Sequence, residues 1–363
     1  MNVLPDYGGA SLADVLPAVG RALGMPGEGA LELPPASAYV VVLLDGLGAE
    51  LLARHTEQTP FLSSGSMKVG TCGVPSTTAT SLTSLGTALP PGAHGLVGFT
   101  SRIPGTDRLL QALRWDKSVD PQRWQPHEPY FATLERHGIA TTVISKAEFE
   151  HSGLTQCGQR GARFVGAQTL TERVDHAVRA AQRAPSVTYI YDNDPDHTGH
   201  AHGVGSARWR AALDDADATL EQLRESLPAS VKLLVVADHG MVDPSVRVDI
   251  DEVPHLRSGL TLLGGEARFR HLYCRTGAVE DVRQAWSDYL GDRATIVTRE
   301  EGVAAGWFGE VDPEVAPRLG DLMVVCGPEL AVLSSRDFAI ETQLVGMHGA
   351  MTDQEMLIPI VVH

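Results

Sequence analysis

The chain has only four cysteines, Cys72, Cys157, Cys274 and Cys326, and no two stand in CxxC spacing. That pattern describes neither a disulfide framework nor a thiolate zinc site, so all four are expected to be reduced. Basic residues are also scarce. There are 29 Lys and Arg against 45 Asp and Glu, a net charge of -16 over 363 residues. A protein that covers nucleic acid or an anionic membrane carries the opposite balance. No apolar run approaches the ~20 residues of a membrane span. The opening Met1-Asn2-Val3-Leu4-Pro5-Asp6 has neither the basic nor the apolar region of a cleaved signal. The expectation is a cytoplasmic protein with no membrane span, with its oligomeric state left open. Internal repeats and low-complexity tracts are lacking too.

What is present is ordinary globular composition, 43% hydrophobic and 20% charged. Continuous apolar runs at 40–44, 141–144, 187–191, 233–236 and 358–362 read as strands buried on both faces, as in a parallel sheet. Pro359 marks the last of them as an edge or irregular strand. Amphipathic helices fall between. The clearest spans 206–227, with Trp209, Leu213, Ala216, Leu220, Leu223 and Leu227 on one stripe, Ser206 as N-cap and Pro228 as stop. Others are read at 171–184 and at 128–137, the latter closed by Gly138. Alternating strands and helices predict an α/β fold, a doubly wound, mostly parallel sheet with helices on both faces. Residues 100–125 lack periodicity and read as a long loop. Residues 249–335 carry their own strands (268–275 and 322–326) and a helix (279–290). They are expected to form a smaller inserted lobe, with the core at 1–248 and 336–363.

Ligands of such a sheet bind beyond the carboxyl ends of its strands, so the residues there matter most. The run at 40–44 is followed by Asp45-Gly46. The run ending at Tyr191 leads into Asp194-Pro195-Asp196-His197-Thr198-Gly199-His200, and the run ending at Val236 into Asp238-His239-Gly240. Gly346-Met347-His348-Gly349 precedes the last run. Mixed Asp and His donors without thiolate suit divalent zinc, and also manganese or iron. There are enough donors for two ions, the arrangement that clamps both oxygens of a phosphoryl transfer. One Asp-His-Gly alone is a turn signal; its recurrence at successive strand ends points to a metal site. Asp196 and His200, four apart, share a face if their loop makes a helical turn.

Pro75-Ser76-Thr77-Thr78 reads as a turn entering a helix. A hydroxyl there lies where N–H groups and the helix dipole attract an anion, and metal coordination would activate it as a nucleophile. Taken alone the segment reads first as a Ser/Thr capping run.

Together these pieces resemble the alkaline phosphatase superfamily, specifically its type I phosphodiesterase/nucleotide pyrophosphatase family. Besides the strand-end motifs, the matching segments are Val74-Pro75-Ser76-Thr77-Thr78 and Gly86-Thr87-Ala88-Leu89-Pro90-Pro91-Gly92-Ala93-His94-Gly95. The resemblance implies that Asp196, His200 and His348 hold one zinc. It implies that Asp45, Asp238 and His239 hold the other, and that Thr78 is both nucleophile and ligand of that second ion. It also implies a covalent phosphoenzyme that is then hydrolysed. One departure stands out. Where nucleotide pyrophosphatases carry an Asn that contacts a phosphoryl oxygen, this chain has Phe99, and a phenyl ring offers no such donor.

Lys146, after a strand-like run, is a candidate contact for a substrate anion, weighed against an ordinary surface lysine. His197 and His202 are read as solvated neighbours of the ligands, His94 as structural support, and Trp209 and Trp286 as core. The leading function is a two-metal phosphoester hydrolase of small molecules, with phosphodiesters or nucleotide pyrophosphates favoured. A phosphomonoesterase or phosphonate hydrolase using the same site, and a non-catalytic metal-binding scaffold, are the alternatives. No Arg lies near Thr78 in sequence, which favours diesters over the more highly charged monoesters.

Overall fold

The structure is a computed structural model that describes residues 2–363. Its centre is a seven-stranded sheet in the order Ser66–Thr71, Leu357–Val362, Val231–Val236, Ala38–Leu44, Ser186–Asp192, Ala140–Ser145, Arg163–Gly166. Ala38–Leu44 pairs in parallel with both its neighbours and is buried at every position. That explains its unbroken Tyr-Val-Val-Val-Leu-Leu run, since a strand covered on both faces has no polar side to show. One cover includes helix Leu170–Ala181 packed on Ala207–Ser226; another includes Thr78–Thr87 packed on Tyr130–Arg136 and Val15–Ala22. The α/β architecture with a largely parallel sheet is the one the alternation of apolar runs predicts.

Helix boundaries follow local chemistry. Ser206 caps Ala207–Ser226 by accepting from the Trp209 N–H. Thr169 and Glu172 form a reciprocal capping box at the start of Leu170–Ala181, a helix that ends three residues before the expected 184. Gly138, at φ +77, closes Tyr130–Arg136. Trp209 and Trp286 are fully buried.

Two expectations are corrected. Leu357–Val362 is an inner strand, antiparallel to Val231–Val236 on one side and to Ser66–Thr71 on the other. Pro359 is tolerated because the pairing with Val231–Val236 begins only at Ile360. Residues 100–125 are no plain loop. They form the hairpin Thr100–Arg102 with Leu109–Gln111, followed by the one-turn helix Pro121–Trp124. The hairpin docks on a second sheet, through Thr100 Oγ1 to the Gly265 carbonyl (2.8 Å) and the Arg102 N–H to Tyr273 Oη (2.9 Å). These contacts are long-range, so no local periodicity reports them.

That second sheet is antiparallel and four-stranded, in the order Leu260–Glu266, Phe269–Cys274, Leu322–Cys326, Ala294–Thr298. Its hydrophobic residues join the same continuous core as the large sheet. Two buried ion pairs link it to the C-terminal segment that carries Glu341 and Glu355. Arg268 meets Glu355 through two 2.7 Å bonds, and Arg270 meets Glu341. No helix among the described residues is long and apolar enough to cross a membrane.

Candidate active site

The carboxyl ends of the central parallel strands meet the start of helix Thr78–Thr87. Asp45 follows Ala38–Leu44, and Gly46 turns the chain at φ +74 while its N–H donates to Asp238 Oδ1 at 3.0 Å. Asp238 and His239 follow Val231–Val236. Gly240 comes next because a Cβ there would lie 1.9 Å from the Gln354 carbonyl oxygen. The loop after Ser186–Asp192 makes a helical turn, Asp194–His202, so Asp196 and His200 face the same way, Nε2 to Oδ2 3.4 Å. The loop before Leu357–Val362 delivers His348, whose ring stacks on His239 at 3.7 Å.

Thr77 is the N-cap residue and Thr78 the first residue of its helix. Their side chains diverge as adjacent positions must. Thr78 Oγ1 lies 3.2 Å from His239 Nε2 and donates to Asp45 Oδ2 at 3.5 Å, whereas Thr77 turns to Glu266. All seven residues expected at the metals, Asp45, Thr78, Asp196, His200, Asp238, His239 and His348, therefore stand together.

Hydrogen bonding fixes the three rings. The Nδ1–H of His200 donates to the Gly346 carbonyl (2.7 Å), that of His348 to the Ser76 carbonyl (2.9 Å), and that of His239 to the Gly240 carbonyl (3.1 Å). A carbonyl only accepts, so each neutral ring keeps its proton on Nδ1 and turns the Nε2 lone pair inward. There the lone pairs meet carboxylates, which also only accept. His239 Nε2 is 3.3 Å from Asp238 Oδ2 and 3.5 Å from Asp45 Oδ1, and His348 Nε2 is 3.8 Å from Asp196 Oδ1. Those three carboxylate oxygens are buried with no hydrogen-bond partner. Burial, then the charges of Asp238 and Asp196, push the Asp45 carboxyl well above the usual range. Burial raises Asp238 as well. Burial, then His239 and His200, hold His348 well below its ordinary value. Acceptors crowded against acceptors, in a place that resists both bare charge and imidazole protonation, are what a divalent cation satisfies. Two sets of three could hold one: Asp45, Asp238 and His239, and Asp196, His239 and His348. His239 belongs to both, while His200 joins the second through Asp196.

The remaining candidates are placed as follows. Phe99 lines the cavity that opens onto Thr78, and exposed His197 stands at its edge. Lys146 does not line it; its ammonium donates to Asn193 Oδ1 at 2.9 Å, and Asn193 is the lining residue. Three residues escaped the sequence reading. Tyr191 Oη donates to Asp45 Oδ2. Ser76 donates to the Ala350 carbonyl at 2.6 Å and accepts from the Gly349 N–H, which holds the His348 loop. Glu266, in the second sheet, lines the cavity with Oε1 unpartnered. Only contacts between distant segments identify Ser76 and Glu266. Tyr191 alone carried a signal, as the polar end of a strand pointing at the site.

A parallel α/β sheet with these donors at its strand ends belongs to the alkaline phosphatase superfamily. Within it, the model of the type I phosphodiesterase / nucleotide pyrophosphatase family matches residues 39–351, and the chain belongs to that family. A murine ectonucleotide pyrophosphatase/phosphodiesterase 5 superposes with a TM-score of 0.70 at 18% identity, covering 89% of this chain and 87% of its own. An uncharacterized pyrophosphatase/phosphodiesterase of Schizosaccharomyces pombe is 26% identical over 231 residues, 58% of this chain and 46% of the relative. Human ectonucleotide pyrophosphatase/phosphodiesterase family member 1 is 24% identical over 236 residues, 60% of this chain and 24% of the relative. The chain thus spans about half or less of these curated relatives.

Proposed function

We propose that the protein hydrolyses phosphodiesters with two divalent ions, zinc foremost, through Thr78 and a covalent phosphothreonine intermediate. The observation that carries this reading is the inward-facing lone-pair set: three imidazoles pinned by backbone carbonyls against three carboxylate oxygens without partners. Asp45, Asp238 and His239 would hold the ion beside Thr78, and Asp196, His200 and His348 the other. Bound there, divalent ions would lower the pKa of the threonine hydroxyl and offset phosphoryl charge. Asp45, which accepts from Thr78 Oγ1, takes up part of the hydroxyl's hydrogen bonding and fixes its direction. Tyr191 holds Asp45 in turn. The helix N-terminus at Thr78 presents N–H groups to the incoming anion.

Diesters are favoured over monoesters because no Arg or Lys lines the cavity, and a monoester brings an extra negative charge. Nucleotide diesters belong to the range the family suggests. An inactive variant of the murine neighbour is solved in complex with AMP.

The test compares an aryl phosphodiester with the matching monoester, with and without chelator, in the parent and in Thr78→Ala, Thr78→Ser and Thr77→Ala. Close to two divalent ions per chain and a faster diester reaction are expected. Thr78→Ala should retain most of its metal and lose kcat by about 1,000-fold or more, whereas Thr78→Ser keeps some turnover. Activity that survives chelation with no metal bound overturns the metal reading. Near-parent turnover in Thr78→Ala overturns the nucleophile.

A further inference from the structure

The cavity beside Thr78 has a volume of about 280 Å³. Apart from the Asp and His cluster, its walls are chiefly apolar, with Phe99, Leu113, Ile340, Leu344 and Met347 prominent. Leu113 and Ile340 are 52% and 58% exposed, two of only six large hydrophobic residues so exposed among those described. Neither is loose. Leu113 follows the hairpin docked on the second sheet. Ile340 stands next to Glu341, which the buried Arg270 holds by an ion pair. Apolar side chains fixed at the mouth of a site, rather than buried, gain by being covered when a ligand enters.

The polar remainder of the wall includes two carboxyl groups and no Lys or Arg. Glu266 is 7% exposed and Oε1 has no partner; Glu341 lines the same wall. The basic groups bonded to lining residues are already committed. Arg270 serves Glu341 and the Val332 carbonyl, and Lys146 serves Asn193 and lies 3.9 Å from Asp194. A second phosphate on a substrate would meet carboxyl groups and no free cation. Phosphate recognition ordinarily uses charge-assisted donors, and here the Asp and His cluster serves only the scissile group.

From this we infer that the substrate is a phosphodiester with an apolar ester group, an alkyl, acyl-bearing or aryl substituent, and no second charged phosphate. The inference rests on the hydrolase reading and narrows it. Phe99, Leu113, Ile340 and Leu344 bind the apolar group, and a wall without a free cation gives a second phosphate no charged partner.

A series of methyl, butyl and octyl 4-nitrophenyl phosphodiesters tests it, with ATP as the polyphosphate probe. Complete burial of one methylene corresponds to about fourfold, so kcat/KM should rise by about 60-fold over the three methylenes from methyl to butyl. ATP should be cleaved at least about 100-fold less efficiently than the butyl ester. In Leu113→Ser with Ile340→Ser, both at exposed positions, the butyl-to-methyl ratio should fall to within about threefold of one, with bound metal retained. A flat series in an active parent, or ATP as the better substrate, overturns this inference alone. A ratio that survives in the double variant overturns the assigned wall. No turnover of any ester, the methyl ester included, overturns the hydrolase reading and the inference with it.

Discussion

Acid should destabilise this protein through His94, a residue outside the metal cluster. Its ring is fully buried. The Leu96 N–H donates to Nδ1 at 3.1 Å, so the neutral ring carries its proton on Nε2, which lies 2.9 Å from Ser84 Oγ. Protonating Nδ1 would set two donors against each other. Burial, then the Arg318 and His127 charges, lower the His94 pKa from 6.5 to about 3. A depressed folded-state pKa gives stability that is present above the unfolded value of 6.5 and is lost as pH falls towards 3. At pH 4.5, two units below the unfolded value, the loss is about 2.7 kcal/mol at ~1.36 kcal/mol per unit. Carboxylates titrate in the same window, so the measurement must be differential. Urea unfolding of the parent and of His94→Gln, followed by tryptophan fluorescence from pH 8 to pH 4.5, isolates the imidazole. The parent's advantage should shrink by about 2.7 kcal/mol, nearly all of it below pH 6.5. A gap that stays constant over that range would refute the buried neutral ring.

Two further substitutions address how the site is held. Glu355→Ala should cost about 3–5 kcal/mol in urea unfolding, because it strands a guanidinium that is fully buried and bonded at 2.7 Å through both Nε and Nη2. A loss under ~1 kcal/mol would show that the pair contributes little. Tyr191→Phe removes the donor on Asp45 and should weaken metal binding by about 10- to 100-fold in chelator competition while leaving the unfolding midpoint of the chelated protein nearly unchanged. Unaltered metal affinity would exclude Tyr191 as the residue that orients Asp45.

The sequence by itself determined which segments are strands and which carry the donors. A buried parallel strand must be apolar at every position, as Val40-Val41-Val42-Leu43-Leu44 is, and the Asp-Gly that follows falls at the strand's carboxyl end, where ligands bind. Asp196 and His200 were readable as one face through their spacing of four, and Thr78 as a helix start through the capping chemistry of its neighbours. These signals are local, and backbone geometry enforces them within a few residues. Only the tertiary structure decided what lies opposite what. It made His239 common to two donor groups, set Tyr191 on Asp45, tied Lys146 to Asn193, and brought Glu266 and Ile340 from distant segments to the wall of the Thr78 cavity. It also placed Pro359 in an inner strand, since the register of pairing, and not the residue, determines whether a missing N–H matters. Such pairings join residues tens to hundreds of positions apart, and they arise from packing two sheets into one core, which no periodicity along the chain records.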